Sequence, residues 1–154
     1  MKERNLRSTV LVLTCFLFFL GMVLSNSTLA QQEGKKPKDS SPTIQLQVKE
    51  GMGSYLVDSK GMSLYYFKKD SPGVSSCKGE CLTKWPAFYT EKVVVQKPLK
   101  KKDFGISTRD DGKKQTTYKG LPLYYFFKDT KPGEMNGAGV NNVWDVIYPE
   151  KFKP

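Results

Sequence analysis

Ser59-Lys60-Gly61-Met62-Ser63-Leu64-Tyr65-Tyr66-Phe67-Lys68-Lys69-Asp70 returns 59 residues later as Tyr118-Lys119-Gly120-Leu121-Pro122-Leu123-Tyr124-Tyr125-Phe126-Phe127-Lys128-Asp129, with eight of twelve positions identical. Each copy runs into a Pro-Gly pair, Pro72-Gly73 and Pro132-Gly133, the second displaced by one residue. At the same offset Trp85 falls on Trp144. Self-similarity at a fixed offset marks a duplicated structural unit, so the chain reads as one small domain made from two diverged copies.

Working outward, both copies carry strand signals. Tyr55-Leu56-Val57, the turn-rich Asp58-Ser59-Lys60-Gly61 and Leu64-Tyr65-Tyr66-Phe67 together predict a hairpin with aromatic strands. In the second copy Phe104 to Thr108 leads into Arg109-Asp110-Asp111-Gly112, where Asp-Gly signals a tight turn, and Lys113 to Tyr118 returns. Lys119-Gly120 turns again, Leu123 to Phe127 reads as the next strand, and Val143 to Ile147 as the last. Long helical periodicity is absent; only the segment around Glu80 to Lys84 can hold a helical turn. The fold class expected is all-β, in one domain of two tandem hairpin-type repeats over residues 44–154. Repeat one covers about 54–96 and repeat two about 104–154.

Alternation along a strand sends Tyr65 and Phe67 to one face and Leu64 and Tyr66 to the other, so the strand should be covered on both sides. Asp70 and Asp129 stand before the Pro-Gly turns, where a carboxylate can accept from backbone N–H groups two or three residues on. Tyr65, Phe67, Asp70 and Trp85, with Tyr124, Phe126, Asp129 and Trp144, are therefore the candidate site residues. Packing, with each repeat owning its core and turn, is the favoured reading. The alternative is an aromatic surface that binds a ligand through its Tyr and Trp rings.

Tyr65-Tyr66-Phe67-Lys68-Lys69-Asp70 and Tyr124-Tyr125-Phe126-Phe127-Lys128-Asp129 both fit Y-x-[FWY]-x-x-D, and Cys77-Lys-Gly-Glu-Cys81-Leu-Thr-Lys-Trp85-Pro86 fits C-x-G-x-C-x-x-x-W-P. In these motifs the chain resembles the bacterial secreted repeat of unknown function, a family also described as predicted lipoproteins. The resemblance spans roughly Tyr55 to Tyr148. It implies an extracytoplasmic β-rich module and brings no reaction with it. The chain departs from the pattern at Ala87, where a second Pro is common, and in having no cysteine placed for lipidation.

Lys2, Arg4 and Arg7 precede an apolar run from Val10 to Leu24, and Thr28-Leu29-Ala30 follows a polar stretch. This is the order of a secretory leader, with cleavage expected after Ala30. The rival reading is an uncleaved membrane anchor, against which stands an apolar run shorter than the ~20 residues a spanning helix usually needs; after cleavage no spanning helix is expected. Cys15 lies inside that run and is followed by its most apolar part, which argues against lipidation. Residues 31–43 are rich in Lys, Pro, Ser and Gln and read as a flexible polar linker. The expected location is extracytoplasmic: periplasmic, outer-membrane-associated or secreted.

The 154 residues hold 25 Lys and Arg against 15 Asp and Glu, a formal charge of +10, and no His. Removing the leader, which holds three basic residues and one acidic, leaves 124 residues at +8. Without histidine there is no Ser-His-Asp or Cys-His nucleophile and no histidine-bearing zinc or copper site. Adjacent Asp110 and Asp111 have no partner by spacing, Gly137-Ala138-Gly139 lacks the strand and helix of a phosphate loop, and no segment is dense enough in oxygen ligands for calcium. No catalytic constellation, metal or cofactor is expected. The run Lys97, Lys100, Lys101, Lys102 reads as a solvated loop, and the leader argues against nucleic acid as partner. Weak attraction to an envelope component (a glycan, an anionic lipid or a protein) fits the charge better.

Cys77 and Cys81 are the only cysteines beyond the leader, and in an oxidising compartment such a pair forms a disulfide. A redox role is the rival, against which stand the C-x-x-x-C spacing and the absence of a histidine to lower a thiol pKa. The sequence thus points to a non-enzymatic extracytoplasmic module with a binding or structural role. A disulfide-based or cofactor-assisted redox accessory is the alternative.

Overall fold

A computed structural model describes residues 41–154. The leader and most of the linker lie outside the described residues. Of the linker's last residues, Thr43 is already held, its N–H donating to the Val94 carbonyl at 2.7 Å. The first strand, β1, then covers Ile44–Lys49 and opens on the fully buried Ile44.

After β1 come β2 (Gly53–Asp58), β3 (Tyr65–Phe67), a short helix α1 (Glu80–Lys84), β4 (Phe104–Thr108), β5 (Lys114–Tyr118), β6 (Leu121–Pro122) and β7 (Trp144–Val146). The chain is all-β, in small antiparallel sheets ordered β1-β2, β3-β7 and β4-β5-β6. The Asp-Gly turn joins β4 to β5 as expected, with Gly112 at φ 76°. The one helical turn also falls where the sequence allowed it.

Two strand assignments need correction. β2 pairs with β1, and β3 pairs with β7, Tyr65 facing Val146 and Phe67 facing Trp144. The hairpin expected between β2 and β3 is reduced to a bridge between Val57 and Ser63, flanked by bonds from Leu64 N–H to the Leu56 carbonyl and from Asp58 N–H to the Met62 carbonyl. Leu123 to Phe127 is not a continuous strand; Tyr124 makes bridges to Tyr65 on one side and Ala87 on the other. Both errors share one cause. The strongest pairing partner of each motif lies in the other repeat, and local sequence carries no sign of it.

The expected alternation holds. Tyr65, Phe67, Tyr124 and Phe126 enter one apolar cluster, while Leu64, Tyr66, Leu123 and Tyr125 enter the other. The motif strands are covered on both faces. However, the repeats do not own separate cores. The first cluster joins Ile44, Leu56, Leu64 and Phe88 to Tyr118, Leu123, Ile147 and Phe152; the second joins Tyr55, Val57 and Trp85 to Tyr124, Trp144 and Val146. Each cluster draws on both copies, because a repeat of this size cannot enclose an apolar interior by itself.

The copies meet as a two-fold-related pair would, position i on j and j on i. Tyr65 N–H donates to the Tyr124 carbonyl and Tyr124 N–H to the Tyr65 carbonyl, both at 2.9 Å. Phe88 N–H reaches the Leu123 carbonyl as Ile147 N–H reaches that of Leu64. The turn glycines lock the same way: Gly73 N–H donates to Gly120, and Gly133 N–H to Gly61. At Gly61 and Gly120, both at positive φ, an added Cβ would stand 3.0 Å from Pro132 Cβ and 3.1 Å from Pro72 Cβ. The Pro-Gly pair of each repeat is thus seated on the turn of the other.

Gly137 sits deepest in this junction. A Cβ there would lie 2.8 Å from Trp85 Cη2 and 2.9 Å from both Phe126 Cγ and Tyr65 Cε1. Gly137→Ala should therefore cost about 1–3 kcal/mol through overpacking. Urea unfolding checks it, and an unchanged midpoint would contradict the packing described.

Candidate functional site

The motif residues build a crossed pair of hydrogen bonds. Tyr65 of the first copy donates its hydroxyl to Asp129 Oδ2 of the second at 2.5 Å, and Tyr124 of the second donates to Asp70 Oδ2 of the first at 2.6 Å. The other oxygen of each aspartate accepts a backbone N–H, from Ser76 at 2.7 Å and from Asn136 at 2.9 Å. The aspartates do fix the chain after the strand, but six and seven residues on, not two or three. The Pro-Gly turn fills the gap and brings the chain back beneath the carboxylate. The structural equivalent of Ser76 is therefore Asn136, and that of Cys77 is Gly137.

Between the crossed bonds lie the rings. Trp85 and Trp144 stack at 3.8 Å and 4°. Phe67 covers Trp144 at 4.2 Å and Phe126 covers Trp85 at 4.4 Å, while Tyr65 and Tyr124 set their edges on Trp85 and Trp144. Tyr65 and Tyr124 are 0% exposed, Trp85 4%, Trp144 3% and Phe126 7%. Phe67 and Asp70 are half-buried and Asp129 is buried. The structure brings all eight candidate residues together, and it places them in the interior. Their ring faces are covered by one another.

Burial sets the electrostatics here. It pushes both phenols well above the ordinary tyrosine range, helped by the carboxylate each one faces. It also raises Asp70 and Asp129, against the pull of the tyrosine and amide donors that favour the charged form.

On the first-repeat side this pair continues into a second network. Arg109, 8% exposed, donates from Nη1 to Ser75 Oγ at 2.8 Å and to Gln115 Oε1 at 2.5 Å, and from Nη2 to the Cys77 carbonyl at 2.6 Å. Ser75 Oγ lies 2.7 Å from the Tyr124 hydroxyl, which gives its own proton to Asp70. A buried guanidinium and a half-buried carboxylate are so connected through two hydroxyls. Among the described residues no cation joins Tyr65 and Asp129 in this way; a backbone N–H, from Gly137 at 3.3 Å, reaches the Tyr65 hydroxyl.

Cys77 and Cys81 form a disulfide, as expected. Cys77 is fully buried and Cys81 half-buried at the start of α1. Arg109 and an ion pair between Lys78 and Asp110 fasten this loop to the β4–β5 turn. Beside the joint opens a cleft of about 590 Å³, lined by apolar Leu82 and Pro86, by Tyr89, and by the charged Arg109, Asp111, Lys113 and Lys114. Arg109, Ser75, Gln115 and Tyr89 carried no signal in the sequence beyond turn and strand chemistry: Arg109 finds Ser75 and Cys77 34 and 32 residues away, Ser75 finds Tyr124 49 residues away, and the Tyr89 hydroxyl makes no hydrogen bond among the described residues. Lys97, Lys100, Lys101 and Lys102 are exposed, as a solvated loop requires. Among the described residues no cluster of His, Cys, Asp and Glu could hold a metal ion, and no helix is long and apolar enough to cross a membrane.

Tyr65→Phe and Tyr124→Phe leave one donor short a buried carboxylate (Asp129) and a half-buried one (Asp70), at a cost of about 1–3 kcal/mol each. A raised carboxylate favours its neutral form in the fold, so its contribution is fully present below pH ~3.9 and is lost as pH rises through the raised value. The penalty of either substitution should accordingly be larger at pH 7 than at pH 3, where a protonated aspartate no longer needs the donor. Urea unfolding of wild type and both variants at the two pH values measures this; equal penalties would contradict the pairing.

Comparison with known proteins agrees with the duplicated architecture. No curated protein matches the chain, and no solved structure matches it. The pattern that defines one protein family matches twice, over residues 47–88 and 105–148, which together make up more than half of the sequence. The first match takes in β2, β3 and Trp85, and the second takes in β5, the Tyr124 motif and Trp144. The chain belongs to the family described as the secreted repeat of unknown function.

Proposed function

We propose that the chain is an extracytoplasmic, non-enzymatic binding module in which the duplicated motif is scaffold and the cleft beside Arg109 is the recognition surface. One observation carries this reading. The two halves repeat the same crossed hydrogen bonds in the interior but diverge at the disulfide loop, where Arg109, Lys78 and Asp110 join α1 to the β4–β5 turn beside a cationic cleft. Binding residues concentrate on loops positioned by a rigid frame. A non-enzymatic role is supported by the interior carboxylates: those raised by burial already hold tyrosine hydroxyls. A secreted family and a closed disulfide fit an oxidising location outside the cytoplasm.

The redox reading draws on Arg109 and Lys78, cations beside the cysteines that would favour a thiolate. Against it, Cys77 offers no surface to an incoming thiol, and Arg109 ties its carbonyl into the core. As a structural link the pair should resist reduction by glutathione buffers, with a potential below about −300 mV. Equilibration in such buffers followed by thiol labelling decides between the readings; reversible interconversion near −200 mV would favour the redox role.

Retention on envelope fractions tests the binding role. Lys113→Glu with Lys114→Glu should release the protein, whereas Lys100→Glu with Lys101→Glu, of equal charge change, should not. Equal release would assign retention to net charge and not to the cleft.

A further inference from the structure

We propose that the cleft is built for an anionic saccharide, a pyranose bearing a carboxylate or a phosphate. The inference rests on the cleft being the recognition surface. Its volume of about 590 Å³ lies within the range of ~300–1,000 Å³ usual for small-ligand sites.

Tyr89 supplies the first argument. Seven of the eight tyrosines have a ring partner within the aromatic packing; Tyr89, 40% exposed, has neither a ring partner nor a hydroxyl hydrogen bond among the described residues. An exposed ring in a cleft lining, with no ring partner or hydroxyl bond among the described residues, suits a ligand with an apolar C–H face and a hydroxyl rim. Pro86 and half-buried Leu82 add apolar surface to the lining.

Charge supplies the second. Lys113 and Lys114 are exposed, and neither ammonium makes an ion pair or hydrogen bond among the described residues. Behind them Arg109 Nε is buried without a hydrogen bond, its nearest anion being Asp111 Oδ1 at 3.6 Å. Asp111 is the only acid in the lining, against three cations. Its Oδ1 also accepts the Lys113 N–H at 3.1 Å, which holds the turn. The cleft lining therefore combines cations only partly neutralised from within with one exposed aromatic ring. A ligand anion would meet the lysines while its ring lies on Tyr89, and Asp111 would oppose it.

The opposition of Asp111 makes the idea testable in both directions. Titration of the full chain with tetragalacturonate, followed by calorimetry at low and physiological salt, should show binding that weakens as salt rises. Tyr89→Ala should weaken it about tenfold, the loss of one stacking contact. Lys113→Ser with Lys114→Ser should weaken it by a similar factor, and Asp111→Asn, which keeps the turn acceptor and removes the charge, should tighten it. Glucose 6-phosphate binding more tightly per ring than galacturonate would assign the phosphate form of the ligand and still support the class. Cellotetraose, the uncharged control, should bind at least tenfold more weakly. Poly-glutamate binding as tightly as tetragalacturonate and independently of Tyr89 would overturn the saccharide assignment while leaving the cleft as a binding surface. No response to any of these probes would overturn both the assignment and the cleft's role.

Discussion

Everything in this fold depends on the exchange of partners between Tyr65 and Tyr124. Their backbones bond to each other in both directions, and each hydroxyl crosses to the aspartate of the opposite repeat. A buried phenol and a buried carboxylate are both costly if left unpaired, and here each satisfies the other. The crossing means that neither repeat can satisfy its own motif alone. The Trp85–Trp144 stack and the reciprocal seating of Pro-Gly pairs on turn glycines follow from the same geometry.

This constraint explains why the motif is a strand followed by an aspartate and then a loop. The strand delivers a tyrosine to the junction, and the loop returns the chain so that its amide caps the carboxylate. Both copies keep the tyrosine, the aspartate and the returning loop, although the second copy holds its tyrosine by isolated bridges and not by a continuous strand. What differs is what fills the loop. In the first copy it carries Cys77, Cys81 and α1, and Arg109 reaches across from the second copy to hold it. In the second, Gly137 occupies the place of Cys77 because three rings close over it. A symmetric interior thus supports an asymmetric surface, and the cationic cleft lies on the elaborated side.

Much of the interior was legible in the sequence. The 59-residue offset, the alternation that puts Tyr65 and Leu64 on opposite faces, the Asp-Gly turn of β4–β5, the helical turn at Glu80 to Lys84 and the disulfide all depend on local or short-range chemistry. The partners of those elements were not legible. β3 finds β7 some 79 residues downstream, and the aspartates bind hydroxyls 54 and 64 residues away. A single sequence shows which groups need a partner, not which group provides it. Arg109 was hidden for a related reason: inside Arg109-Asp110-Asp111-Gly112 it looks like a solvated turn residue, and only the docked disulfide loop buries it. The one-residue slip between the Pro-Gly pairs was visible, yet its meaning, that Cys77 corresponds to Gly137, required the carboxylate contacts.

The claim that the repeats form one interlocked unit is tested most directly by native-state hydrogen exchange on wild type and Asp129→Asn. Asp129 belongs to the second repeat, and its hydroxyl partner to the first. The expected result is that the slowest amides of β2 and β5 lose the same free energy of protection, since opening either repeat opens both. Loss confined to β5, with β2 protected as in wild type, would contradict it.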